Sequence, residues 1–221
     1  MAYVTPGTVA AGDVATAAAW NVITNDVIQI ATLAQGVFTN EAARDAAITS
    51  PTEGMIAYLT APTVPAATGV ITALPTGVRT IYNGSVWACV TPVGAGSSTQ
   101  GSTTSTSFVT TLTSDSTAVS VTLVTGTTAL VSLHGAAYIS AAPPILGNLT
   151  VSVSGATTIA ADGGRGAQTT ITDSGMSAEM TRTQILTGLT AGTNTFTLNY
   201  RTSSGTLVLL AGRDLVVSGI A

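Results

Sequence analysis

The sequence predicts a mainly β protein: an N-terminal α-helix able to form a short trimeric coiled coil, a small β-meander, and a C-terminal β-sandwich of jelly-roll type. Three observations carry this reading. Hydrophobic residues make up 45% of the 221 positions and charged residues only 7%, which is too apolar and too little charged for a disordered chain. Threonine is the commonest residue, and valine and isoleucine are spread throughout; all three suit a pleated, half-buried surface. Short runs of alternating polarity, separated by Gly-rich turns, recur from Phe108 onward.

The same composition excludes several classes. The net charge is −4, there is no lysine, and six arginines (Arg44, Arg79, Arg165, Arg182, Arg201, Arg213) are scattered singly, so no basic stripe is offered to nucleic acid. The start, MAYVTPG, lacks the basic and apolar regions of a secretory signal. No apolar run approaches the ~18 residues of a membrane span, so no membrane insertion is expected. The single cysteine, Cys89, excludes an internal disulfide framework and reads as a buried thiol beside Trp87. A soluble chain with so few charges either hides surface in an assembly or relies on Ser, Thr, Asn and Gln. The helix described next favours assembly.

Residues 1–38 read as an arm and a helix. Pro6, Gly7 and Gly12 keep the first residues extended, and Tyr3, Val4 and Pro6 are the candidates for docking the arm. Asp13 is a helix N-cap, no Gly or Pro follows from Val14 to Gln35, and Gly36 sits where a C′ glycine belongs. Trp20, Ile23, Val27, Ile30, Ala34 and Val37 recur at alternating spacings of three and four between polar neighbours. That narrow seam is the mark of a coiled coil, and isoleucine at its core positions leans toward more than two strands. An amphipathic helix packed on its own domain is the competing reading.

Residues 39–91 read as a short helix and a meander. Thr39 or Asn40 caps Glu41–Ala47, and Ser50-Pro51-Thr52-Glu53-Gly54 turns the chain. Strands are expected at Met55–Leu59, Val78–Tyr82 and Ser85–Thr91, the last two joined by a tight Asn83-Gly84 turn. Thr60 to Gly77, with three prolines, reads as a loop or excursion. Three strands are too few to stand alone.

The run from Ala42 to Leu59, AARDAAITSPTEGMIAYL, and the later Ile81-Tyr82-Asn83-Gly84-Ser85-Val86-Trp87 resemble a module of tailed-bacteriophage virion structural proteins: minor tail, tail-fibre, head-fibre and capsid decoration proteins. There the module follows a helix with a segment similar to Trp20-Asn21-Val22-Ile23-Thr24-Asn25-Asp26. The resemblance implies a virion component, usually trimeric, with no catalytic residues.

Residues 92–107, PVGAGSSTQGSTTSTS, read as a flexible or extended linker by composition. Residues 108–221 then offer candidate strands at Phe108–Leu112, Ala118–Val124, Ala129–Tyr138, Asn148–Val153, Gln168–Thr172, Met180–Leu186, Asn194–Arg201, Thr206–Leu210 and Asp214–Ile220. So many short strands predict two packed sheets. Gly188 to Arg201, with Arg213 to Val217, is similar to C-terminal phage β-domains of the trimeric tumour-necrosis-factor and C1q type.

Little in the chain points to chemistry. His134 lies in an apolar strand with no nucleophile elbow and no second His nearby, so it reads as a strand histidine at a surface or subunit contact. Asp162 and Asp173, flanking DGGRGAQTTIT, are the nearest approach to a paired-carboxylate site, and read better as turn formers. No catalytic residue, metal site or cofactor is assigned. For ligand contact, Tyr138, Asn148, Arg165 and Gln168 at the sandwich tip are the candidates.

The expected protein is therefore a non-enzymatic, homotrimeric component of the phage virion surface, assembled in the host cytoplasm. Its partners would be itself and capsid or tail proteins. The alternative is a receptor-binding fibre recognising a host cell-surface glycan through the β-domain, and a polysaccharide depolymerase is a remote third.

Overall fold

A computed structural model describes residues 36–139, 145–173, 175–209 and 212–220. The arm residues Tyr3, Val4 and Pro6 and the seam residues Trp20, Ile23, Val27, Ile30 and Ala34 lie outside the described residues. The chain is mainly β, with three sheets and one short α-helix among the described residues.

The first sheet has the order β1-β2-β5-β6, built from β1 (Gly36–Phe38), β2 (Ile56–Leu59), β5 (Val78–Tyr82) and β6 (Trp87–Cys89). Val37, which the heptad spacing places on the helical seam, lies instead in β1, paired in parallel with Tyr58 and 64% exposed. Pairing with β2 gives the backbone after Gly36 its partners, so the helical period does not extend to this residue. Helix α1 (Glu41–Ala47) starts at Asn40, whose side chain accepts from the Ala43 N–H at 3.0 Å. At the β5–β6 turn, Gly84 takes φ +88° and Asn83 Oδ1 accepts from the Ser85 and Val86 N–H groups, the tight turn that Asn-Gly encodes.

The small module has its own clamp. Arg44, 5% exposed, stacks over the Trp87 ring at 4.8 Å, and Trp87 lies 5.4 Å from Tyr82. The Arg44 guanidinium is also paired with Asp45 at 2.8 Å. Arg44 and Trp87 are thus packing partners across the module.

Two larger sheets form the sandwich. One has the order β12-β11-β14-β9-β3: β12 (Ala167–Ile171), β11 (Ile145–Gly155), β14 (Gly192–Thr202), β9 (Ser120–Thr125) and β3 (Ala66–Thr68). The other runs β4-β7-β16-β10-β15-β8, with β13 on the free side of β10. It contains β4 (Ile71–Ala73), β7 (Val93–Ser97), β16 (Arg213–Ile220), β10 (Thr128–Ile139), β15 (Leu207–Leu209), β8 (Gly101–Thr103) and β13 (Ser177–Thr187). Alternate residues point inward, including Val121, Leu123, Val131, Leu133, Leu149, Val151, Phe196, Leu198, Leu215 and Val217, all fully buried. The same hydrophobic cluster continues through Cys89, Val78 and Leu59 of the first sheet, so meander and sandwich share a core.

Two expectations are corrected here and one open alternative is resolved. Residues 92–107 are no linker: β7 pairs with β16 and β8 with β15, both strands largely buried. Small residues are required there rather than tolerated. A Cβ on Gly101 would stand 2.7 Å from the Leu112 Cβ, and one on Gly96 would strike the Asp214 carboxylate. Second, the excursion after Thr60 sends one strand into each large sheet, β3 beside β9 and β4 beside β7. Third, Phe108–Leu112 forms only isolated bridges, Val109 to Tyr200 and Leu112 to Asp115. Ser114, at φ +71°, reverses the chain there before a strand can extend.

Candidate functional site

Strands β12, β11 and β14 lie side by side, and their register sets Gln168, Asn148 and Arg201 in one cross-strand row. The inward residues of β11 are the odd-numbered ones, so Asn148 belongs to the outer face of its sheet. It is nevertheless only 1% exposed. The cover is the segment from Ala161 to Gly166, which makes a single 3-10 turn at Gly163–Arg165.

Asp162 caps that turn by accepting from the Gly164 N–H at 2.9 Å, and its backbone carbonyl accepts from the Thr150 hydroxyl at 2.8 Å. Gln168 Nε2 donates to the Gly163 carbonyl at 2.6 Å. From the other sheet, Arg182 donates to the Gly166 carbonyl and Gln184 to the Arg165 carbonyl. The segment is therefore held from both sheets. Glycine is needed at its centre: a Cβ on Gly163 would lie within 3.0 Å of Arg201 Nη2, Gln168 Nε2 and Asn148 Oδ1. Three polar side-chain ends thus converge beside one glycine.

Beside this convergence opens a shallow cleft of about 480 Å³, lined by Ser107, Phe108, Asp162, Gly163, Gln168 and Arg201 among others. Arg201 lies over the Phe108 ring with its guanidinium carbon 4.5 Å from the centroid, which fixes the orientation of its plane. The charge of Asp162 is answered by Arg165 at 3.5 Å. Among the described residues no carboxylate pairs with Arg201, and neither side-chain atom of Asn148 has a hydrogen-bond partner.

Of the four ligand-contact candidates, three gather here. Gln168 lines the cleft, Asn148 lies beneath it, and Arg165 is spent on the loop, pairing with Asp162 and donating to the Ala160 carbonyl. Tyr138 is elsewhere, on β10 of the other sheet, where its hydroxyl accepts from Gln100 Nε2 at 3.3 Å. Arg201 and Phe108 were not among the candidates. Phe108 reads as a strand residue in the sequence, and Arg201 joins Asn148 only through a register that no local pattern reveals.

Other groups with chemical potential are accounted for structurally. His134 Nδ1 sits 3.0 Å from the Gly212 carbonyl and 3.7 Å from Asp214 on the outer face of the seven-stranded sheet. The Cys89 thiol is buried, which pushes its pKa up to about 11, against a smaller opposing effect of the Thr91 carbonyl contact. A buried ion pair joins Arg213 to Asp115. Around it Ser97 donates to Asp115 at 2.6 Å, Arg213 donates to the Thr99 carbonyl at 2.8 Å, and Tyr200 lies alongside. Burial raises the Tyr200 pKa, with the Arg213 charge acting in the opposite sense. Among the described residues no three His, Cys, Asp or Glu side chains are grouped to hold a metal ion, and no helix is long and apolar enough to cross a membrane.

No protein-family model and no curated protein matches this sequence. Solved structures with a similar arrangement include the Eiger TNF of S. frugiperda, at 10% identity and a TM-score of 0.43, covering 59% of this chain and 92% of that one. Another is a chain from the structure of infectious bursal disease virus, Gt strain, at 14% identity and a TM-score of 0.42, covering 68% of this chain and 39% of that one. A third is the VP2 subviral particle of the same virus, at 13% identity and a TM-score of 0.39, covering 78% and 46%. The chain thus spans less than half of either viral protein it resembles. At scores and identities this low nothing about function follows from these three neighbours.

Proposed function

We propose that this chain is a non-enzymatic structural protein of a tailed-phage virion surface, working as a homotrimer attached to capsid or tail through its N-terminal region. In this reading the sandwich is of jelly-roll type, and the helix before residue 36 is a short three-stranded coiled coil. The observation that carries it is the outer face of the seven-stranded sheet. There Leu130 and Ile185 face each other across β10 and β13, with Val216 and Ile220 on the neighbouring β16, all exposed. Gly94 leaves the row beside Val216 flat, and the Gly96 row carries Asp214 and His134. Exposed aliphatic side chains set among Ser132, Thr183 and Ser218, on a chain with 7% charged residues, fit burial against identical copies. Light scattering on the purified protein is expected to give the mass of three copies, and a monomer would overturn the proposal. The double variant Leu130→Arg/Ile185→Arg is expected to weaken or abolish association through this face. An unchanged trimer would remove the face from the interface.

A second reading, a receptor-binding fibre that takes a host cell-surface glycan, is supported by the convergence of Asn148, Gln168 and Arg201 beside the Phe108 cleft. Sugar sites combine an aromatic surface with a few placed amide and charged groups. Purified protein should then bind host cells and compete with phage adsorption; failure of both would end this reading.

A further inference from the structure

We propose that the Phe108–Arg201 cleft is a subsite for the carboxylate of an acidic saccharide, an inference that rests on the glycan-binding reading above. The charge arrangement supports it. Asp162 and Arg165 answer each other at 3.5 Å, and the Asp162 carboxylate also accepts from Gly164 N–H. Arg201 is the charge left over: half-buried, held over Phe108, and without a paired carboxylate among the described residues.

A planar guanidinium with a fixed plane takes a carboxylate through two parallel N–H bonds, and such charge-assisted bonds are the strong ones. The chain has set a polar residue beneath it at a cost. Asn148 is 1% exposed, yet its Nδ2 and Oδ1 lack hydrogen-bond partners among the described residues, and its Oδ1 approaches the same point beside Gly163 as Arg201 Nη2 and Gln168 Nε2. Asn148 itself lies under the Gly163 turn and does not line the cleft, so Arg201 and Gln168 are the converging groups that the cleft presents to a ligand. The hydroxyls of Thr106 and Ser107 and the Gln168 amide line the cleft. They suit the hydroxyl groups of a sugar ring, whose apolar face matches Phe108. A neutral sugar would leave the Arg201 charge unanswered, and a bare anion would leave the ring and hydroxyl contacts unused.

The test titrates the full-length protein with sialyllactose, digalacturonate and neutral lactose by calorimetry, and follows the Phe108 ring resonances by NMR. The expected result is binding of an acidic sugar, no measurable binding of lactose, and movement of the Phe108 signals. Arg201→Gln is expected to weaken the acidic sugar by at least about tenfold. Arg201→Lys, which keeps the charge but loses the planar fork, should fall between. Equal binding of lactose and sialyllactose overturns the acidic assignment and leaves the glycan reading standing. Acidic-sugar binding that moves no Phe108 signal, or survives Arg201→Gln intact, overturns the location. No binding of any of the three, with no binding of the protein to host cells, overturns both.

Discussion

The most tightly bound charges in the described chain are Asp115 and Arg213. Each is about 5% exposed or less, and together they join the turn after Leu112, the end of β7 and the start of β16. Such a pair adds little over an apolar replacement, but losing one member strands the other in the core. Asp115→Ala should therefore cost about 3–5 kcal/mol in urea unfolding, and Asp115→Ala/Arg213→Met should cost less than that single change. Glu41 works at the surface in a different way. Its carboxylate accepts from the Thr63 N–H and hydroxyl and from the Val64 N–H, at 2.8–3.0 Å. Burial raises its pKa, but the hydrogen bonds from Thr63, Val64 and its own N–H outweigh this and leave it below 4.5. A depressed folded pKa means the contribution is complete above the unfolded value and is lost as pH falls through the lower folded one. Amide protection factors at Thr63 and Val64, corrected for the intrinsic rate, should fall across that acid interval, and Glu41→Gln should abolish the pH dependence. Cys89, with its pKa near 11, should resist thiol reagents at neutral pH until the protein unfolds.

At the scale of elements, what the sequence discloses depends on which atoms fill the core. Where side chains do so, the strands are legible: Val119/Val121/Leu123, Leu149/Val151/Val153 and Phe196/Leu198/Tyr200 alternate, and the fold places each set inward. The Asn83-Gly84 turn and the Asn40 cap were legible for the same local reason. Strands β7 and β8 were not, because glycine and serine bring backbone against backbone there, and low hydrophobicity then looks like a linker. Gly101→Ala should cost about 1–3 kcal/mol by overpacking, and Leu112→Gly in the same chain should show a compensating coupling, since the two Cβ positions collide. The candidate site was half legible. Asn148, Arg165 and Gln168 stand out as polar residues in and beside a Gly-rich stretch, but Arg201 enters only through the register of three strands far apart in sequence.

At the scale of the whole molecule, the excursion between β2 and β5 decides cooperativity. It supplies β3 to one large sheet and β4 to the other, while Leu59, Val78 and Cys89 join the common core. Residues 36–220 should therefore unfold in one transition, with near- and far-ultraviolet dichroism coincident. Two separated transitions would show that meander and sandwich are independent. A fragment of residues 108–221 alone would lack β3, β4, β7 and β8, leave the edges of β9 and β16 unpaired, and should aggregate rather than fold. Strand β16 has a further consequence, for synthesis. It lies between β7 and β10, so the seven-stranded sheet has a gap at its middle until residues 213–220 have left the ribosome. Chains released early cannot present the outer face in its finished form. If copies associate through that face, β16 is the strand whose arrival completes it, and chains stopped before residue 213 are kept out of the assembly.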